Sequence, residues 1–193
     1  MKLTKILEEV ITEIGDLSAG SFELTKPPVE ALLLKSKDQI EQYKKRTGEG
    51  IKLAKQSMYL AKGESGTEYT IYISYDIAPD NQGEYYIEGS LTFDEKKQSA
   101  DTAYQDTNAR EQFKLMATVS KALEDFISQA DPIAKVRKMV FSPKADVGKI
   151  FSLDSKRARL YRQYINKGLS RLPGKWEVKE NPKKNQIEIY RTD

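Results

Sequence analysis

Residues 68–94 read EYTIYISYDIAPDNQGEYYIEGSLTFD and hold two runs in which apolar and polar side chains alternate. The inward-facing apolar positions of the two runs are Tyr69, Ile71, Ile73, Tyr75 and Ile77, then Tyr85, Ile87, Leu91 and Phe93. Alternation with a period of two is typical of strands with one buried face. The intervening PDNQG carries the Pro, Asn and Gly that favour a turn. The stretch therefore predicts an antiparallel hairpin that packs one face against the core.

The tyrosines of this hairpin, Tyr69, Tyr72, Tyr75, Tyr85 and Tyr86, allow two interpretations. Aromatic rings on a sheet can stack with nucleic-acid bases. Tyrosine is also an ordinary strand residue that packs well on a pleated surface. We favour packing.

Downstream, residues 108–129 read NAREQFKLMATVSKALEDFISQ and carry two adjoining apolar stripes. The stripes are Phe113, Met116, Ser120, Leu123 and Ile127, and Leu115, Val119, Ala122 and Phe126. A helix that is apolar over so wide an arc is largely buried. We predict a core helix that lies on the sheet and ends before Pro132.

Three more elements follow this helix. Residues 136–141 predict a strand, and residues 154–168 predict a helix with Asp154 as its N-cap and Gly168 as its stop. The segments WEV and IEIY, joined by NPKKN at 181–185, predict a closing hairpin.

The upstream part is less regular. Residues 2–14 predict an amphipathic helix, with Leu3, Ile6, Leu7, Val10, Ile11 and Ile14 on its apolar side. It either packs on the body of the protein or is a detachable segment that a partner binds. Ser36 is the predicted N-cap of a short helix over 37–47 that ends near Gly48. Residues 22–25 and the second half of 51–63 predict strands.

Composition excludes several classes of chemistry. The 193 residues contain no Cys and no His, which excludes thiolate nucleophiles, disulfides, Ser-His-Asp triads and histidine metal sites. We expect no metal site. No apolar run approaches the roughly 18 residues that span a membrane. The length suits one domain, 1–193, of the α+β class with a mixed, mostly antiparallel sheet flanked by helices.

The order of elements from residue 69 to 193 resembles the C-terminal half of GNAT-type acyltransferases. That family carries an N-x-x-A-x-x-L-Y pattern on its last helix, and this chain has Ser155, Ala158, Leu160 and Tyr161 there. The resemblance implies a GNAT-like fold, acetyl-CoA as cofactor and Tyr161 as the acid that protonates the departing thiolate. Glu88 has a sheet position from which a general base can act.

The family holds the CoA pyrophosphate on a glycine-rich turn at the start of the core helix. The matching stretch here, QDTNAREQFK at 105–114, has no glycine and carries Asp106 and Glu111. Acidic side chains oppose an anion at a helix N-terminus. We therefore expect no bound cofactor, and an acyl-CoA-dependent N-acyltransferase with an atypical loop is the alternative.

The stretches FKLMATVSKALEDFI, MVFSPKAD and SKRARLYRQYINKG also resemble small proteins of tailed bacteriophages. This resemblance implies a phage origin and a location in the host cytoplasm or the virion. It also makes residues 1–15 a candidate packaging signal of the kind that a prohead protease cleaves. Our primary interpretation is a non-catalytic accessory or virion-associated protein that binds a virion or host protein.

A third hypothesis rests on charge. The chain carries 32 basic and 29 acidic residues, and the excess collects near the last predicted helix. The candidate contacts to nucleic acid or an acidic partner are Lys156, Arg157, Arg159, Arg162, Lys167 and Arg171. A solvated helix face explains the same pattern. The sequence leaves the oligomeric state open.

Overall fold

A computed structural model describes residues 20–63, 66–96, 109–141, 156–181, 183–184 and 186–193. For residues 95, 109–112 and 156–160 it describes the backbone alone. The predicted N-terminal helix at 2–14, the predicted N-cap Asp154 and the stretch 105–108 lie outside the described residues. The fold below is that of the described part.

Seven strands form one sheet within this part of the chain. They are β1 Leu24–Thr25, β2 Leu53–Lys62, β3 Glu68–Pro79, β4 Tyr85–Lys96, β5 Lys135–Phe141, β6 Trp176–Asn181 and β7 Gln186–Arg191. Their order across the sheet is β1-β2-β3-β4-β5-β7-β6. The β4–β5 pair is parallel and the other described pairs are antiparallel.

Three helices lie in the described part, and all contact the same face of the sheet. They are α1 Val29–Thr47, α2 Ala109–Ala130 and α3 Lys156–Leu169. The Phe126 ring of α2 lies 5.0 Å from the Tyr75 ring of β3. The Tyr161 ring of α3 lies 4.8 Å from the Phe141 ring of β5. The predicted class, α+β with a mostly antiparallel sheet flanked by helices, is confirmed.

The alternation of the hairpin divides its side chains as predicted. Tyr69, Ile71, Ile73, Tyr75, Ile77, Tyr85, Ile87, Leu91 and Phe93 all lie in the core under the helices. Tyr72 and Tyr86, which have the other parity, lie half-buried on the opposite face. Packing in the core therefore accounts for Tyr69, Tyr75 and Tyr85.

Helix α1 begins earlier than predicted, and Ser36 is not its N-cap. The helix starts at Val29 directly after Pro28, which makes no side-chain cap hydrogen bond. Ser36 is buried inside the helix, where its hydroxyl donates to the Leu32 carbonyl over 2.7 Å. The residues Val29, Leu33, Ser36 and Ile40 recur at helical spacing and bury one side of α1. The predicted end at Gly48, with φ near +78°, is confirmed.

Gly168 lies inside α3 and is not its stop, because the helix continues to Leu169. A Cβ atom at this position would lie 2.3 Å from the Ser120 Oγ and 2.7 Å from the Glu124 Oε1 of α2. The Ser120 hydroxyl donates to the Tyr164 carbonyl of α3 over 2.9 Å. The glycine is thus required for the close approach of α2 and α3.

A partly buried carboxylate ties α2 to the β1–β2 side of the sheet. Asp125 accepts hydrogen bonds from the Tyr59 hydroxyl over 3.0 Å and from the Gln129 amide over 2.6 Å, and it pairs with Lys26. Burial, then the Asp125 charge, raises the pKa of Tyr59 well above its usual range. Tyr59 therefore stays a neutral hydrogen-bond donor and fixes β2 beneath α2.

None of the three described helices combines the length and the apolar character that crossing a bilayer requires.

Candidate binding surface on the open face of the sheet

The sheet face opposite the three helices carries no helix among the described residues, and we call it the open face. Its side chains have the parity opposite to the core residues of the same strands. They include Ala54, Gln56, Met58, Leu60, Lys62, Glu68, Thr70, Tyr72, Ser74, Asp76, Tyr86, Glu88, Ser90, Thr92, Asp94, Arg137, Lys138, Val140, Glu188 and Tyr190. Most are polar or charged, as expected for the solvated face of a mostly antiparallel sheet.

A shallow cavity of about 390 Å³ lies at the centre of the open face. Its floor consists of small residues on adjacent strands, because Ser74, Ser90 and Val140 occupy one row across β3, β4 and β5. Asp76, Glu88 and Lys138 stand at its sides. The cavity forms because the side chains of its floor are short and the charged side chains at its sides are long.

A β-bulge beside this cavity places two basic side chains on the same face. Ile87 pairs with Val136 and Glu88 pairs with Lys138, so β5 carries Arg137 as one extra residue. Arg137 forms an ion pair with Asp80 and lies 4.4 Å from the centroid of the Tyr86 ring. The Arg137 hydrogen bond holds the pKa of the Asp80 carboxyl below its usual range.

Lys138 and its neighbours form a second polar cluster on the open face. The Tyr190 hydroxyl donates to Glu188, and this bond, followed by the Asn181 amide, lowers the pKa of Glu188. Hydrogen bonding to Tyr190 and the nearby Glu188 charge, 3.7 Å away, raise the pKa of Lys138 despite some burial. Glu188 and Lys138 therefore stay charged over the physiological pH range and neutralise one another locally.

Two carboxylates face each other across the β3–β4 ladder, since Asp76 pairs with Glu88. Like charges directly opposite destabilise a strand pair. Lys52 relieves this repulsion, because its ammonium lies 2.8 Å from Asp76, and that hydrogen bond raises the pKa of Lys52. The open face therefore has mixed charge and no strong field of one sign.

An apolar patch lies next to the charged region. We define the apolar patch as Met58, Leu60 and Tyr72. Met58 is 53% exposed and Leu60 is 50% exposed, and Met58 pairs directly with Tyr72 across the β2–β3 ladder. Strand β2 also buries Ser57, Tyr59 and Ala61 on its other face. A strand that is apolar on both faces is expected where the second face is also covered.

No family model and no curated protein matches this sequence. The argument for function therefore rests on the residues themselves.

The structure places Tyr161 and Glu88 on opposite sides of the sheet. Tyr161 is 3% exposed and packs under the helices, 4.8 Å from the Phe141 ring and 6.3 Å from the Phe93 ring. Glu88 is exposed on the open face. The acid and the base that an acyltransferase would use are not brought together.

The predicted basic contacts are partly engaged within the protein. Arg162 of α3 forms an ion pair with Glu180 of β6, and Arg171 lies 3.2 Å from Glu124 of α2. Lys167 is exposed. The side chains of Lys156, Arg157 and Arg159 lie outside the described residues. Because two of the arginines already have acidic partners, the positive charge offered to a phosphate backbone is reduced.

Cations on the open face lie beside tyrosine rings that could otherwise stack with nucleic-acid bases. The Tyr86 ring has Arg137 over one side, and Lys138 lies 4.9 Å and Lys179 5.7 Å from the Tyr190 ring centroid. A base would have to displace these cations before it stacked on either ring. The Tyr86 and Tyr190 rings are thus already in contact with cations of the protein itself.

Sequence reasoning did not single out the apolar patch or the bulge. The signal for the patch is present, because QSMYLA at 56–61 has apolar residues at both parities. The bulge has no comparable sequence signal, since it depends on the pairing of β5 with β4.

Proposed function

We propose that this protein is a phage-encoded accessory or virion-associated protein that acts by binding another protein at the apolar patch. The proposed phage origin rests on the resemblance of FKLMATVSKALEDFI, MVFSPKAD and SKRARLYRQYINKG to small proteins of tailed bacteriophages. One observation carries the binding role: Met58 and Leu60 remain about half exposed side by side on a sheet face.

The energetics agree with this role. Removing the remaining exposed surface of Met58 and Leu60 from water is worth on the order of 1 kcal/mol for each side chain. The surrounding mixed charges supply a polar rim, as protein–protein interfaces commonly have. The cavity beside Asp76 and Glu88 then accommodates a side chain that projects from the partner.

Site-specific photo-crosslinking tests the proposal. A benzophenone amino acid is placed at position 58 or, as a matched control, at position 34, since Leu34 is 48% exposed on α1 at the helical side of the sheet. In infected cells and in purified virions, we expect one discrete protein adduct from position 58 and none from position 34. Mass spectrometry identifies the partner.

A second substitution makes this test specific. Leu60→Asp is expected to reduce the position-58 adduct at least about tenfold, because a carboxylate on the patch must be desolvated in the complex. Equal adducts from positions 58 and 34, or none from position 58, would show that the patch is not the docking site.

An acyl-CoA-dependent N-acyltransferase is the second candidate. The observation in its favour is the position of Tyr161 near the point where the described pairing of the parallel strands β4 and β5 ends. Strand β4 continues to Lys96 beyond Leu91, its last residue paired with a described residue of β5. Tyr161 packs against Phe93 and Phe141 near that point. The family resemblance implies that Tyr161 protonates the departing thiolate. The 3% exposure of Tyr161 and the distant face of Glu88 fit this chemistry poorly.

Calorimetric titration with acetyl-CoA separates the two candidates. We expect no binding heat at millimolar ligand, because the stretch 105–114 lacks glycine and carries acids. Micromolar binding would make the acyltransferase the better interpretation. A Tyr161→Phe variant that binds normally but transfers no acyl group would then identify the acid.

A further inference from the structure

Strand β6 forms one end of the sheet, and in the described part of the chain only β7 pairs with it. Alternate residues of an antiparallel strand direct their N–H and C=O groups away from the paired neighbour. No described backbone hydrogen bond outside the β6–β7 pair involves residues 176–180. The outer edge of β6 can therefore accept a further strand through its backbone.

The side chains of β6 are of a kind that a second strand would cover. Trp176 and Val178 lie on the helical side of the sheet, where both are half-buried and pack against the core. Glu177 and Lys179 lie on the open face, with side chains 50% and 57% exposed, and form an ion pair of 3.0 Å with each other. Because so exposed an ion pair contributes little to stability, both groups can exchange it for a contact with another chain.

The order of charges along β6 complements itself in one register. When two copies of a strand pair antiparallel about a two-fold axis, the axis passes through a residue, because opposite residues share a face of the sheet. An axis at Val178 places Glu177 opposite Lys179 of the second copy, and the symmetry repeats this contact. An axis at Glu177 or at Lys179 places that residue opposite its own like charge, which destabilises a strand pair. The charges thus select Val178.

The helical side of β6 is compatible with the same register. Val178 meets Val178 of the second copy at the axis, so apolar surface at the edge is removed from water. Trp176 comes to lie opposite Glu180 of the second copy. Within each chain Glu180 forms an ion pair with Arg162 of α3, so the carboxylate that faces the indole is already neutralised.

We propose that a second copy of this chain pairs with β6, so that the two sheets join into one continuous antiparallel sheet across an axis at Val178. This proposal does not rest on the proposed function, because β6 and β2 lie towards opposite ends of the sheet. The dimer therefore carries two accessible copies of the apolar patch. A single strand pair buries less than a standard interface, so we expect association in the micromolar range.

Sedimentation velocity of the full-length protein over about 1–300 μM tests the proposal. We expect the wild-type chain to shift from monomer to dimer across this range. Lys179→Glu and Glu177→Lys each place like charges opposite one another twice, so each variant is expected to dimerise at least about tenfold more weakly. The matched control is Lys35→Glu, which makes the same charge change at an exposed position of α1 and should associate like the wild-type chain. Circular dichroism confirms that every variant is folded.

A mixture of the two β6 variants tests the register itself. Lys179→Glu has acids at both positions and Glu177→Lys has bases at both, so each variant complements the other. We expect the equimolar mixture to form heterodimers at concentrations where either variant alone is monomeric. Trp176 is the only tryptophan of the chain and lies at the proposed contact, so its fluorescence should change over the same concentrations.

Four outcomes would overturn the inference. They are a wild-type chain that stays monomeric throughout, a Lys179→Glu variant that dimerises as the wild-type chain does, a mixture that stays monomeric, and dimerisation that leaves the fluorescence of Trp176 unchanged. None of these results alters the crosslink expected from position 58, so the failures of the two proposals are distinguishable.

Discussion

Replacing Phe126 with alanine is expected to lower the free energy of unfolding by about 3–5 kcal/mol. Phe126 lies in the C-terminal part of α2, is fully buried and packs against the ring of Tyr75, a core residue of β3. Truncation removes the buried ring and leaves a cavity between helix and sheet. Close-packed surroundings relax only in part around such a cavity, so both losses add.

Urea denaturation followed by circular dichroism measures this loss from the shift of the midpoint at constant slope. Leu34→Ala is the control, because Leu34 is 48% exposed on α1, and we expect a change within about 0.5 kcal/mol. A loss below about 1 kcal/mol for Phe126→Ala would contradict the packing of α2 on the sheet.

Replacing Gly89 with alanine is expected to destabilise the protein by about 1–3 kcal/mol although it adds a single methyl group. A Cβ atom at this position would lie 2.6 Å from the Ser74 carbonyl oxygen and 2.9 Å from the Tyr75 Cβ. The first neighbour is a backbone atom and the second is the first atom of a side chain. Neither atom can move unless β3 shifts. The substitution therefore forces β4 away from β3 where the cavity lies.

Gly50→Ala is the matched control for this substitution. Its added Cβ would meet only the Pro79 Cγ, at 3.7 Å, which is an ordinary contact. Because alanine restricts the unfolded chain more than glycine, this control is expected to be neutral or stabilising by up to about 1 kcal/mol. If Gly89→Ala behaves like the control in thermal unfolding, the close approach of β3 and β4 is not as described.

The elements with strong periodicity were predictable from the sequence. The alternation over residues 68–94 specifies both the strands and the buried face, because a shift by one residue would reverse every side chain. The double stripe of 113–127 specifies a buried helix in the same way. These patterns reflect burial on one side, and burial is what the sequence encodes most directly.

The incorrect predictions concern residues with two possible roles. Ser36 has the composition of an N-cap, but tertiary packing of Val29 and Leu33 extends α1 beyond it. Gly168 has the composition of a helix stop, but it lies at the contact with Ser120 of α2. The same residue type suits either role, so the contact with a neighbouring helix or strand decides which role the residue takes.

The candidate site was less predictable than the fold. Tyr161 and the arginines of α3 were visible as residue types, yet their burial and ion pairs depend on Phe141, Glu180 and other residues distant in sequence. The apolar patch depends on the register of β2 with β3, which places Met58 opposite Tyr72 on the open face.

The sequence by itself determined the class of fold, the inward faces of β3 and β4 and the exclusion of cysteine and histidine chemistry, because alternation and composition are local properties. Tertiary structure alone decided that all three described helices share one face of the sheet and that Glu88 and Tyr161 lie on opposite faces. It also decided that Met58 and Leu60 stay exposed. These facts depend on strand order and on contacts between distant residues, which no local pattern encodes.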